Sequence, residues 1–243
     1  MRVLATYNIK GGVGKTSTAV NLAHLSARDG ARTLIWDLDP QGAASFIFRI
    51  KPQVRGGGKG LVRGKSSLED AIKGTDFDDL DLLPADFSYR NLDLLLDARK
   101  KPITVLRQLL RPLSEDYDTV ILDCPPGISL VSESVMYAAD TLLVPLIPAT
   151  LSLRTFDQLT DFVTNINDRP PTLAAFFSMV DRRKRLHRDV VATLTARRGD
   201  LLRTEIPAAS VIEQMAERRA PVAVFAPRSV AASQYESLWA ELR

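Results

Sequence analysis

Residues 1–17 read MRVLATYNIKGGVGKTS: a short apolar run, then a glycine-rich stretch with two lysines, then the first turn of a helical pattern. Val3–Tyr7 predicts a strand, and Lys15–Arg28 predicts a helix. Glycines in the connection let backbone N–H groups turn inward, and the positive end of the following helix adds to the attraction for an anion. A strand, such a loop and a helix in that order predict a phosphate-binding loop from Lys10 to Ser17. Lys15 supplies a point charge for the β and γ phosphates of ATP, and the Thr16 hydroxyl a ligand for magnesium. The strict loop pattern has glycine where Ile9 stands, and a second lysine, Lys10, opens the loop.

Outward from this loop, apolar strands alternate with helical stretches. Further strands are expected at Thr33–Trp36, Leu80–Leu83, Thr119–Leu122, Thr141–Leu146 and Ala174–Met179. Further helices are expected at Ile103–Leu113, Leu130–Ala138 and Leu153–Ile166. Continuous apolar strands between helices predict one α/β domain, residues 1–243, with a mostly parallel twisted sheet and helices on both faces. In such folds ligands bind beyond the carboxyl ends of the strands. Asn8–Thr16, Asp37–Gly42 and Asp123–Gly127 each follow a strand and are expected to meet there. Residues 51–67, KPQVRGGGKGLVRGKSS, carry four glycines in five positions and read as a mobile basic loop.

Composition excludes several classes. The chain has 243 residues, 45% hydrophobic and 25% charged, the balance of a folded globular domain. Nothing approaches the roughly 18 consecutive apolar residues of a membrane span, and the N-terminus lacks the form of a signal peptide. A cytoplasmic location is expected. A single cysteine, Cys124, excludes an internal disulfide, and two histidines argue against a histidine-based metal site. Cys124 is expected to be a buried structural thiol.

The loop KGGVGKTS resembles the deviant Walker A box of the ParA/MinD family of P-loop ATPases, and short Soj-like partition ATPases in particular. The resemblance assigns nucleotide contacts to Lys10, Gly11, Gly12, Val13, Gly14, Lys15, Thr16 and Ser17, and reach across a dimer interface to Lys10. It runs on through DLDPQG at 37–42 and DTVILDCPPG at 118–127. By that resemblance Asp37 lies near the waters of the magnesium ion, Asp39 positions the attacking water, and Asp123 holds the metal through water opposite Thr16. Gly127 stands where the family usually has serine. Met179 and Pro207 fall in stretches that contact adenine in relatives, although Ala208 replaces a common arginine.

Residues 182–188, RRKRLHR, hold five Lys or Arg side chains in seven positions. With Arg218 and Arg219, the resemblance makes Arg182, Arg183, Lys184, Arg185 and Arg188 a surface for DNA of any sequence. The resemblance thus implies an ATP-dependent homodimer on the nucleoid, which hydrolyses ATP under the stimulus of a ParB-like or other cargo adaptor. A MinD-like membrane ATPase would carry a basic, apolar terminal helix; residues 229–243, SVAASQYESLWAELR, read instead as a helix packed on the domain, so no membrane partner is expected. A synthase of the cobyrinic acid diamide type would need an acceptor-substrate site besides the phosphate loop. Because the sequence begins almost at its first strand, no helix-turn-helix domain is expected before it.

Overall fold

The first strand, β1 (Arg2–Thr6), is apolar on both sides: Val3 and Ala5 join one buried cluster and Leu4 the other. The same division recurs in β2 (Thr33–Asp37), where Leu34 and Trp36 oppose Ile35. Strands of this kind need cover on both faces, and each fully buried aliphatic side chain contributes about 1.5–3 kcal/mol. The remaining strands are β3 (Lys73–Gly74), β4 (Leu80–Leu83), β5 (Thr119–Asp123), β6 (Thr141–Leu146), β7 (Thr172–Val180) and β8 (Leu201–Pro207). The computed structural model describes residues 1–166 and 170–243, and among them the strands form one sheet in the order β3-β4-β2-β5-β1-β6-β7-β8. Pairing is parallel except between β3 and β4.

The helices are α1 (Lys15–Arg28), α2 (Ala43–Ile47), α3 (Gly57–Val62), α4 (Leu92–Asp97), α5 (Val105–Leu110) and α6 (Leu130–Ala138). They continue with α7 (Thr150–Thr164), α8 (Arg185–Arg197), α9 (Ser210–Arg218), α10 (Val222–Phe225) and α11 (Val230–Leu242). Buried side chains of α3 to α8 belong to the cluster on one face of the sheet, and those of α1, α2, α9, α10 and α11 to the other. The tail helix α11 lays Tyr235, Leu238, Trp239 and Leu242 into the second cluster, as its sequence led us to expect.

Three expectations need correction. Residues 51–67 are not a structureless loop: they build α3, whose Leu61 and Val62 are buried with Val54 in the first cluster. The glycines there serve close packing. A Cβ on Gly58 would stand 3.2 Å from the Tyr89 ring, and one on Gly57 only 2.5 Å from the Ser88 hydroxyl. The expected helix Ile103–Leu113 is α-helical only from Val105 to Leu110, with 3₁₀ turns that begin at Pro102 and Arg111 on either side. Finally, the expected strands end with Ala174–Met179, whereas Leu201–Pro207, which takes in Thr204–Pro207, forms a further strand, β8.

Candidate nucleotide site

Between β1 and α1 the backbone takes left-handed conformations at Gly12 (φ 69°) and Gly14 (φ 93°), where a side chain would be strained. A Cβ on Gly14 would also lie 2.8 Å from the Ser178 hydroxyl. Helix α1 starts from Gly14 with no side-chain cap, so the N–H groups of its first turn are not satisfied by a capping side chain. Lys15 is buried, and its ammonium donates to the Lys10 carbonyl at 3.1 Å. Burial lowers the Lys15 pKa, while the Asp123 carboxylate opposes that shift, with smaller opposing contributions from Cys124 and Asp39. Val13 points into the core. The Lys10 side chain has no hydrogen-bond or ion-pair partner among the described residues and does not line the cavity beside the loop.

Two carboxylates lie beneath the loop. Asp37 and Asp123 are ladder partners at the ends of β2 and β5, and Asp123 is level with Thr6 of β1. Both are fully buried. One Asp37 oxygen accepts the Ser45 N–H at 2.8 Å and the Ser45 hydroxyl at 2.7 Å; the other accepts the Asp39 N–H at 3.3 Å. Burial pushes the Asp37 carboxyl up to about 6, against the opposing Ser45 hydrogen bonds. Burial also pushes Asp123 well above the carboxylate range; the neighbouring Asp37 adds to this, and the Thr16 hydroxyl and Lys15 oppose it. Asp123 Oδ2 is buried with no hydrogen-bond partner among the described residues.

This donor set fits a hard divalent cation. Two adjacent buried carboxyls with an orphaned oxygen repel one another, and a cation relieves both the repulsion and the unmet hydrogen bond. Magnesium would be held by the Thr16 hydroxyl, with Asp37 and Asp123 engaged through water, and it would neutralise charge on the β and γ phosphates. No group of three or more His, Cys, Asp or Glu that could hold a metal ion by itself converges among the described residues, so here the Thr16 hydroxyl and the phosphates would complete the set. Cys124 is buried with its thiol pKa pushed far up by burial, and its sulfur lies 3.7 Å from the Leu122 carbonyl; it is no nucleophile.

A cavity of about 370 Å³ runs from the loop towards β7 and β8. Gly11, Gly12, Gly14, Lys15, Thr16, Ser17 and Asp39 line one end, and Met179 and Pro207 the other. Met179 reaches this wall because the β7–β8 register slips between Phe177 and Val180, and Met179 itself sits at φ 56°. A non-glycine residue in that conformation is strained, and such strain concentrates at ligand sites. Sequence reasoning missed Ile212 and Tyr235 among the residues lining this cavity and Ser45 beside Asp37. None stands in a motif; the Asp37–Ser45 pair could have been found only as a hydroxyl one helical turn past DLDPQG.

Most of the basic residues expected to face DNA have partners within the chain. Arg182–Arg188 connects β7 to β8, with Arg185 and Arg188 already in α8. Arg182 pairs with Glu205 at 3.2 Å, Arg183 with Asp181 at 2.9 Å and Arg185 with Asp189 at 3.5 Å; Arg188 donates to two backbone carbonyls, and Lys184 is exposed. Arg218 is exposed at the end of α9. Arg219 stacks on Phe46, its guanidinium 4.6 Å from the ring centroid, and donates to the Phe46 carbonyl.

A glycine-rich loop that feeds an uncapped helix, a buried lysine over it and carboxylates on the neighbouring strand ends define a P-loop nucleotide-binding ATPase fold. A family described as an AAA domain matches residues 1–175. The chromosome partitioning protein ParA of Caulobacter vibrioides is 33% identical over 207 residues, 82% of this chain and 78% of its own. The sporulation initiation inhibitor protein Soj of Bacillus subtilis is 28% identical over 99% of this chain and 98% of its own. The chain belongs to the ParA/MinD family of deviant Walker A ATPases. Among solved structures, cobyrinic acid a,c-diamide synthase from Mycobacterium smegmatis, with a bound ATP analog and magnesium, superposes with a TM-score of 0.84. It is 28% identical, over 100% of this chain and 94% of its own. No helix among the described residues is long and apolar enough to cross a membrane.

Proposed function

We propose that this chain is a partition-type ATPase: two copies close around ATP, the dimer binds DNA without sequence preference, and hydrolysis releases both. The observation that carries this reading is the division between the two lysines of the loop. Lys15 is buried over the site, whereas Lys10 stands outside its own cavity with no partner among the described residues. A lysine so held is available to the phosphates of a second copy, where it would neutralise charge as an arginine finger does. Asp39, at the cavity wall, orients the attacking water, and Lys15 neutralises the departing phosphate's charge. Thr16, Asp37 and Asp123 hold the magnesium ion, and Met179 and Pro207 flank the base.

ATP drives the cycle only by binding the dimer more tightly than the monomer. An adaptor protein of the ParB kind on the cargo would stimulate turnover, and the nucleoid would be the track. The curated relatives named for chromosome partitioning support this class of cargo. A MinD-like membrane role is disfavoured because α11 buries Tyr235, Leu238, Trp239 and Leu242 in the core. The likeness to the diamide synthase supports a second reading, an ATP-dependent ligase with a small acceptor.

Sedimentation velocity with a non-hydrolysed ATP analogue, ADP or no nucleotide tests the proposal, with anisotropy of a random-sequence duplex alongside. A dimer that binds the duplex only with the ATP analogue, and is lost in Lys10→Ala, is the expected result. A monomer in every nucleotide state, with no DNA binding, would sink the proposal and favour the ligase reading.

A further inference from the structure

The densest run of cations in this chain is also the most neutralised. Between 182 and 188, three of the arginines face carboxylates and a fourth is turned to backbone carbonyls. Arg55, Lys59, Arg63 and Lys65 differ. All four are exposed, and none has a carboxylate within ion-pair distance among the described residues. The nearby Asp86 is already engaged by the Val54 and Ser88 N–H groups.

These cations are held in place. The Gly58 N–H donates to the Ser88 hydroxyl at 2.9 Å, Leu61 and Val62 anchor α3 in the core, and Gly58 and Gly60 are buried against Tyr89 and Ser66. Lys59 in α3 and Arg63 at its C-cap are four residues apart, so two like charges stack on one face, an arrangement that destabilises an isolated helix. No carboxylate among the described residues pairs with either of them, and an external polyanion would offset the repulsion.

The surface also selects the kind of anion. No large apolar side chain is exposed anywhere from 51 to 67, so the segment offers nothing to insert into a bilayer. Four unpaired cations with a glycine backbone among them suit close approach to a run of phosphates.

We propose that the α3 segment is a second contact for the phosphate backbone of double-stranded DNA. It lies between β2 and β3 at one end of the strand order, whereas Arg182–Arg188 lies between β7 and β8 at the other. This inference rests on the DNA-binding reading above and assigns the larger share of the free charge to α3.

The test is anisotropy of a random-sequence 24-base-pair duplex of about two helical turns across a salt series, with the ATP analogue present. The full chain is compared with Lys59→Gln/Arg63→Gln/Lys65→Gln and with the charge-keeping Lys59→Arg/Arg63→Lys/Lys65→Arg. Removal of three phosphate contacts per copy should lower the slope of log affinity against log salt by about 2 to 3 for each copy of the dimer that touches the duplex and weaken binding at least about tenfold, while the charge-keeping variant retains the slope. Nucleotide affinity should be unchanged in both. A wild-type chain that binds DNA with a slope untouched by the triple glutamine variant would overturn this inference and leave the proposed function standing. A wild-type chain that binds no DNA would overturn both.

Discussion

Ser45 presents its backbone N–H and its hydroxyl to the same oxygen of Asp37, at 2.8 and 2.7 Å, and the hydroxyl in turn accepts the Ala85 N–H at 2.9 Å. The serine thus fixes one carboxylate oxygen from α2, and leaves the other turned towards Asp39.

Ser45→Ala removes a buried donor from a buried carboxylate and leaves the Ala85 N–H unmet. Stability should fall by about 1–3 kcal/mol, read from urea unfolding. Affinity for nucleotide in magnesium should fall in the same variant, read by titration calorimetry. An unchanged unfolding midpoint would show that Asp37 is held by something else.

Lys15→Ala takes the ammonium out of the phosphate loop. Nucleotide affinity should drop by about 2–5 kcal/mol, the usual cost of truncating one member of a buried charge pair. Calorimetry checks it; ATP affinity within about threefold of wild type would refute the assignment of the phosphate site.

Asp39→Ala should leave nucleotide binding intact and slow hydrolysis by about 100-fold or more, since the proposed role of the residue is to orient the attacking water and not to hold the phosphates. Phosphate release gives the rate, and sedimentation should find the ATP-bound dimer accumulating. Turnover at the wild-type rate would remove Asp39 from the mechanism.

How much of this could be read in advance follows from which patterns are local. Leu80–Leu83, Thr141–Leu146 and Lys15–Arg28 match their expected bounds because apolar runs and a helix start are written in consecutive residues. Strand β3 has two residues, both exposed, and β8 interleaves Arg203 and Glu205 with its buried positions, so neither carries a strong apolar run. The α3 glycines were read as freedom because the sequence does not reveal that Tyr89 and Ser88 lie against them. In the site, the loop and both buried aspartates were legible from motifs. The cavity's far wall was legible only in part, since Ile212 and Tyr235 arrive from helices near the end of the chain.

His24 offers a pH test remote from the loop. Its ring lies 4.9 Å from that of Phe77, and burial, with the Arg28 charge adding, lowers its pKa below the ordinary value of 6.5. The unfolded chain therefore takes up a proton at a higher pH than the folded one, so the stability that His24 contributes is present above 6.5 and is lost as pH falls towards the folded pKa. The melting temperature should drop between pH 7.5 and 5.5, by less in His24→Phe. Equal drops in the two proteins would show that other groups set the dependence.

Leu238 in the tail helix is fully buried, and Leu238→Ala should cost about 2–5 kcal/mol of stability, measured by urea unfolding. A tail free to enter membranes would tolerate the change and would carry wild-type protein down with anionic vesicles.

The Tyr7 hydroxyl donates to the Gly127 carbonyl at 2.8 Å, and the Gly127 N–H donates to the Ile9 carbonyl at 3.0 Å. Two segments some 120 residues apart are therefore bolted together at the point where the chain enters the phosphate loop. Next to that bolt Ile128 stands 59% exposed. The entrance to the phosphate loop and an apolar side chain on the outside of the molecule are thus separated by one hydrogen bond and one peptide link.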